Sequence, residues 1–270
     1  MSRSPFRLLC LLLLCVLPLA ACGGKKEEKE KAPETVEKLY SDAWTKLQER
    51  EYKTAAKAFD EVERQHPYSE WAVRAQVMGA YANYKGGQYD DAVSSLDRFV
   101  KQHPSSTNTP YAYYLKAMCY YEQITDVGRD QKITEKAQQA LSEVIKRFPD
   151  SPYARDARLK QDLVTDHLAG KEMEVGRYYE RHLDYLAAIN RFRVVVEKYQ
   201  TTSHTPEALH RLVECYLKLG VIDQAKRYAA VLGYNYPNSP WYKDSYSIMN
   251  GGKPAPDPEA KEGWHKLVPF

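Results

Sequence analysis

The stretch Tyr89–Pro104, YDDAVSSLDRFVKQHP, decides the fold. With Ala92 as origin, Tyr89 stands three residues before it, Leu96 four after, Phe99 seven after and Pro104 twelve after. The frame recurs around Ala55 (Tyr52, Phe59, Val62, Pro67) and Ala137 (Thr134, Leu141, Val144, Pro149). It recurs again around Ala188 (Tyr185, Phe192, Val195, with Gln200 in the proline slot) and Ala225 (Ile222, Ala229, Leu232, Pro237). Positions −3, 0, +4 and +7 share one helical face, so each unit reads as an amphipathic helix. A proline beyond the apolar stripe stops it. Alanine at the origin lets a neighbouring helix approach closely. Five copies in phase mark a repeat array.

The origins lie 37, 45, 51 and 37 residues apart. A second apolar-periodic helix precedes each unit, as in Val73–Lys85 and Tyr111–Gln123. A closing proline and a helix pair of about 34 residues resemble the tetratricopeptide repeat. The expected fold is therefore all-α, a right-handed superhelix of about five such pairs with a concave and a convex face. Repeats 1–3 are expected over residues 35–152 and repeats 4 and 5 over 153–249. No run of period-two alternation suggests a strand.

Residues 1–21 fall outside this pattern. Arg3 and Arg7 precede an apolar run, Leu8–Leu19, that is short for a membrane span. The run ends in Leu19-Ala20-Ala21-Cys22, which resembles a bacterial lipobox. Residues 1–21 are then a signal peptide and Cys22 is the lipidated residue. Gly23, where an aspartate would signal retention in the inner membrane, implies the outer membrane by resemblance to other lipoproteins. Residues 22–34 carry the charged run GGKKEEKEKAP, a solvated tether reaching at most ~40 Å. The stretch 250–270 is rich in Gly and Pro and reads as a disordered tail.

Cys10 and Cys15 leave with the signal peptide, so Cys119 and Cys215 remain to be placed. Both occupy a slot that holds Ala82 in repeat 2, and two repeats separate them. They are expected as buried free thiols rather than a disulfide. Net charge falls from +3 to +1 once residues 1–21 are removed, which argues against a nucleic-acid partner. Repeat 3 carries an insertion of about eight residues within Ile124–Thr134, expected as a solvated loop. The first helix of repeat 4 runs from near Tyr153 to near His182, with a kink expected at Gly170. Gln200 leaves the end of repeat 4 less sharply fixed.

No pattern for catalysis emerges: there is no HExxH, phosphate loop, CxxC or GxSxG. His66 and His103 precede helix-ending prolines and suit the carbonyl end of a helix better than a metal. No enzyme, cofactor or metal is expected, and function must lie in binding. The first helices of the repeats line the concave face. In repeats 1–3 they present Tyr40, Trp44, Tyr81, Tyr84, Tyr114 and Tyr121, with Arg74 and Lys85 as cations for a ligand's terminal carboxylate. About a third of the tyrosines are expected to pack between repeats. Met173, Arg177, Glu180 and Arg181, then Glu207, His210, Glu214, Leu217 and Lys218, make the second half read as a charged surface.

Lipobox, tether and repeats in this order resemble the BamD family of outer-membrane β-barrel assembly lipoproteins. The stretches HPYSEWAVRAQ, YYLKAMCYYEQ with DVGRDQ, and KEMEVGRYYERHLDYLAAINRF carry the resemblance. It implies a periplasm-facing scaffold of the outer membrane. The first repeats would receive the C-terminal aromatic signal of unfolded outer-membrane proteins. The last would dock the POTRA domains of BamA, with Arg191 of the Asn190-Arg191 pair at that surface, beside other lipoproteins of the complex. The alternative is another periplasmic repeat lipoprotein, a pilotin for secretin assembly or a peptidoglycan-enzyme adaptor.

Overall fold

The computed structural model describes residues 34–252. The signal peptide, Cys22, most of the tether and the tail beyond Gly252 lie outside them. Among the described residues there are eleven α-helices and no strand. They are α1 (Val36–Gln48), α2 (Tyr52–Gln65), α3 (Glu70–Lys85), α4 (Tyr89–Gln102), α5 (Thr109–Tyr121) and α6 (Lys132–Arg147). Then come α7 (Pro152–Arg181), α8 (Tyr185–Lys198), α9 (Thr205–Lys218), α10 (Ile222–Asn235) and α11 (Pro240–Met249). Each odd helix up to α9 pairs with the even one after it, and each pair stacks on the next, giving a helical-repeat superhelix.

The repeating frame is the core. Ala55, Phe59, Val62, Ala92, Leu96, Phe99, Ala137, Leu141, Val144, Ala188, Phe192, Val195, Ala225 and Leu232 are all fully buried. A buried phenylalanine contributes about 1.5–3 kcal/mol, so Phe59, Phe99 and Phe192 anchor three of the five pairs. The turns repeat as well. Each even helix up to α10 ends on a cap residue with φ near −130° and ψ of 39–58°: His66, His103, Phe148, Tyr199 and Tyr236. Proline follows in four of the five. Ser69, Ser151 and Ser239 then cap the next helix, accepting from Ala72 N, Ala154 N and Trp241 N. Tight turns inside repeats 1, 2, 4 and 5 place Arg50, Gly87, Leu183 and Gly220 at φ +64° to +74°.

The five pairs are present, and α11 packs on α9 and α10 and closes the last repeat. The insertion lies in the segment between Tyr121 and Lys132, where α6 opens, and Thr134 is buried in the first turn of that helix. Gly170 does not break α7, which runs as one helix for 30 residues. Its glycine answers a close approach, since a Cβ there would lie 3.2 Å from His204 Nε2. Gln200 does not loosen repeat 4 either. The Thr202 and Thr205 hydroxyls donate to the Tyr199 carbonyl at 2.8 and 3.0 Å and hold the turn that proline holds elsewhere.

Cys119 and Cys215 are buried free thiols, as their slot requires. Burial pushes the Cys119 thiol up to about 12. For Cys215, burial and then the Glu180 carboxylate raise it strongly. Both are inert, small apolar packing units. His66 Nε2 pairs with the Glu34 carbonyl at 2.8 Å, at the start of α1 rather than the end of its own helix. The His103 ring lies 5.2 Å from Phe99.

Candidate functional site

Helices α1, α3 and α5 bring the aromatic slots to one side, and the first turn of α7 completes them. Tyr40 lies 5.4 Å from the Phe59 ring and 4.8 Å from Trp71. Arg74 sits over Trp71 at 5.4 Å, a cation held on an aromatic face. Tyr81 meets Tyr84 at 6.3 Å, and Tyr84 meets Tyr89 at 6.0 Å. The Tyr84 hydroxyl donates to Glu122 Oε1 at 3.2 Å, bridging repeats 2 and 3. Burial, then Glu122, holds that hydroxyl well above its ordinary pKa, so it remains a donor.

Repeat 3 joins repeat 4 in the same way. Tyr153 stacks on Tyr114 at 5.3 Å and lies 5.3 Å from Tyr111. Tyr114 donates to Asp156 Oδ2 at 2.6 Å, and Lys160 Nζ donates to Asp156 Oδ1 at 3.0 Å. Partial burial works to raise the Asp156 carboxyl, but these two donors outweigh it and the net shift is downward. Lys160 also lies over the Tyr121 ring at 5.5 Å. The first helices of repeats 1–3 thus carry a run of neighbouring aromatic rings, with a carboxylate–lysine pair where it meets repeat 4.

Of the residues singled out from the sequence, Tyr40, Tyr81, Tyr84, Tyr114 and Tyr121 all pack by one edge against a core cluster. That is more than the third expected, and each still shows part of its ring. Trp44 is more open, 41 % exposed. Arg74 and Lys85 both reach the surface but stand at opposite ends of α3. Eleven residues at 1.5 Å rise separate them by roughly 16 Å, so one carboxylate cannot reach both. Trp71, Tyr153, Asp156 and Lys160 were missed. The spacing of slots within each first helix pointed away from helix starts, and a 30-residue helix has two candidate registers.

The second half departs from the expected charged surface. Met173 is fully buried. Arg177 Nη1 lies 3.2 Å from Glu207, and Arg211 reaches Glu207 at 3.5 Å, Glu214 at 3.1 Å and Glu180 at 3.7 Å. All five side chains are at most 15 % exposed. His210 Nδ1 pairs with Ser245 Oγ at 2.8 Å, and its ring lies 5.3 Å from Trp241 of α11. Glu214 stands 3.3 Å from His210 Nε2 but shares its charge with Arg211. Burial, then Arg211, lowers the His210 pKa to about 4. This is an internal ion lattice between α7 and α9, on which α11 sits through Ser245 and Trp241. Arg181 and Lys218 stay at the surface.

Arg191 is 45 % exposed on α8 and pairs with Glu172 Oε2 at 3.2 Å. Among the described residues no group of three or more His, Cys, Asp or Glu could hold a metal ion. No described helix is long and apolar enough to cross a membrane.

The profile of a family described as YfiO, outer membrane lipoprotein, matches residues 32–232. The outer membrane protein assembly factor BamD of Caulobacter vibrioides is 50 % identical over 252 residues, covering 91 % of this chain and 82 % of that one. The BamD of Rickettsia prowazekii is 46 % identical over 244 residues, covering 90 % and 96 %. Among solved structures, a thermophilic tetratricopeptide protein of Thermus thermophilus aligns at 18 % identity and a TM-score of 0.38, covering 80 % of this chain and 99 % of that one. The profile match and the identity to these relatives, running through all five repeats, show that the chain belongs to the BamD family of outer membrane lipoproteins.

Proposed function

We propose that the chain is an outer-membrane protein assembly factor: a non-catalytic scaffold of the β-barrel assembly complex, anchored through a lipidated Cys22 at the periplasmic face of the outer membrane. The observation that carries the reading is identity of 50 % and 46 % to assembly factors over nine-tenths of the chain. Relatives so similar favour this role over secretin piloting or peptidoglycan-enzyme adaptation.

Within that role, Tyr40, Trp44, Tyr81, Tyr84, Tyr114 and Tyr121 receive an extended segment of an unfolded outer-membrane protein that ends in an aromatic residue. Half-exposed rings offer apolar area at small entropy cost, and the hydroxyls offer donors. Arg74, held over Trp71, and Lys85 serve separate points of the ligand. Repeats 4 and 5 dock the POTRA domains of BamA, with Arg191 as a charged contact, beside other lipoproteins of the complex. Ordering an unfolded ligand keeps the affinity modest.

The test is titration with a C-terminal outer-membrane-protein peptide and with the same peptide lacking its last aromatic. The full peptide should bind more tightly, and Tyr84→Ala with Tyr114→Ala should weaken it. Equal binding of both peptides, or crosslinks confined to repeats 4 and 5, would sink the groove. Co-purification from membranes with a secretin, and without BamA, would sink the role.

A further inference from the structure

A cavity of about 390 Å³ opens at the middle of the array, between the repeat-3 insertion, α7 and the start of α9. Neither the run of aromatic rings nor Arg191 belongs to it. One face of α7 forms its wall, with Leu163, Asp166, Gly170, Glu174 and Arg177 following at three- or four-residue steps. One turn earlier on that face stands Leu159. Leu159 and Leu163 are 61 % and 60 % exposed, an apolar step at the cavity mouth. Gly170 sets the depth: a Cβ there would meet His204 Nε2 at 3.2 Å and Val127 Cγ1 at 3.8 Å.

The polar lining is three carboxylates, Asp126, Asp166 and Glu174, with Arg177, His167 and His204. Asp126 Oδ1 accepts from Gly128 N at 2.7 Å. Asp166 Oδ1 accepts from Ser203 N at 3.1 Å and Ser203 Oγ at 2.8 Å, and His204 Nε2 is 3.6 Å from Oδ2. Glu174 has Lys171 3.6 Å away on the solvent side. These contacts leave acceptor sites on all three carboxylates. The nearby cations are engaged: Arg177 with Glu207, and Lys171 with the Gly128 carbonyl at 3.0 Å. His167 Nε2 is buried beside the cavity and has no hydrogen-bond partner among the described residues.

We propose that this cavity receives an arginine side chain from an extended polypeptide segment whose adjacent aliphatic residue lies on Leu159 and Leu163. The acceptors sit on separate walls, from the insertion and from α7. A planar guanidinium with five donors satisfies them better than a compact ammonium. Its hydrocarbon stem passes over Leu163 at the mouth. The cavity lies further along α7 than Asp156 and Lys160, which end the run of aromatic rings, so a segment can run from one to the other on a single helix.

The probe is the peptide acetyl-Leu-Arg-Leu-amide, added to the full chain and followed by isothermal titration and by the NMR signals of His167 and Gly170. A citrulline version of the same peptide removes the charge and keeps the shape. The arginine peptide should move both signals and bind about tenfold more tightly than the citrulline one. Asp126→Asn and Leu163→Ser, both at exposed positions and both checked for the parent's circular dichroism, should each weaken it about fivefold. No binding at millimolar peptide, equal binding of the two peptides, or signal changes confined to repeats 1–3 would overturn the proposal. A response to putrescine equal to that to the peptide would make this a small-cation site and equally overturn it.

Discussion

The Tyr114 hydroxyl donates to Asp156 Oδ2 at 2.6 Å, so the first helix of repeat 3 is tied to the first turn of the repeat-4 helix. The bond crosses from α5 to α7 and is half buried. Tyr114→Phe keeps the stack on Tyr153 and removes the donor to a charged acceptor. Stability should fall by about 1 kcal/mol, after discounting for partial exposure. Urea denaturation of the parent and variant measures it. An unchanged midpoint would mean that Lys160 alone satisfies Asp156.

Gly176 has no room for a side chain. A Cβ there would come closer than 3.0 Å to three carbons of the Phe192 ring, which is fully buried between α7 and α8. Gly176→Ala usually helps a helix by about 1 kcal/mol. Here the ring cannot retreat, and the overpacking should win, destabilising the protein by about 1–3 kcal/mol. Gly87→Ala, at φ +73° in open space, should cost about 1 kcal/mol for backbone strain alone. Thermal unfolding of the two variants separates clash from strain.

Leu183 adopts φ +64° in the repeat-4 turn where Gly87 and Gly220 serve in repeats 2 and 5, and it is 69 % exposed. It buries little to compensate for a left-handed backbone. Leu183→Gly should raise stability by up to about 1 kcal/mol through relief of that strain. A loss of stability in the unfolding midpoint would show that the leucine makes packing contacts that outweigh the strain.

His210 makes the last repeat acid-sensitive. Its folded pKa is lowered to about 4 from an ordinary 6.5. Between these values the unfolded chain binds the proton and the folded chain does not. The contribution is therefore full above about pH 6.5 and is lost as pH falls toward 4. His210→Asn, which keeps a group for Ser245 but does not titrate, should flatten that part of the stability–pH curve. Melting temperatures from pH 7 to pH 4.5 for both proteins decide it, and parallel curves would remove His210 as the cause.

The repeat frame was legible because one geometric demand, a small residue flanked by large ones on a helix face, is imposed five times. Its alanines and phenylalanines are the buried core. Cys119 and Cys215 were legible for the same reason, since the slot admits only small apolar groups. The site was legible in part. Tyr84 and Tyr114 follow from their slots, but Trp71 and Tyr153 join the run of aromatic rings from helix starts, where slot counting gives no guidance. The ion lattice around Arg211 was misread as surface because helical period shows which face a charge is on, not whether another helix covers that face. Here α7 and α9 face each other across the charges, and Trp241 of α11 lies over Arg211 and beside His210.

Arg191 and Glu172 form an exposed pair across α7 and α8, 3.2 Å apart. Such a pair contributes about 0–1 kcal/mol to the fold. Arg191→Glu sets two carboxylates against each other and should cost about 1 kcal/mol, leaving the array folded. Glu172→Ala removes the pair but keeps the cation. If Arg191 docks a partner through its charge, Arg191→Glu should weaken co-purification with BamA by about tenfold or more, and Glu172→Ala should leave it intact or strengthen it. Circular dichroism on both variants confirms the fold before binding is compared. Equal losses in the two variants would mean that the pair orients α8, and unchanged binding in both would place the partner elsewhere on repeats 4 and 5.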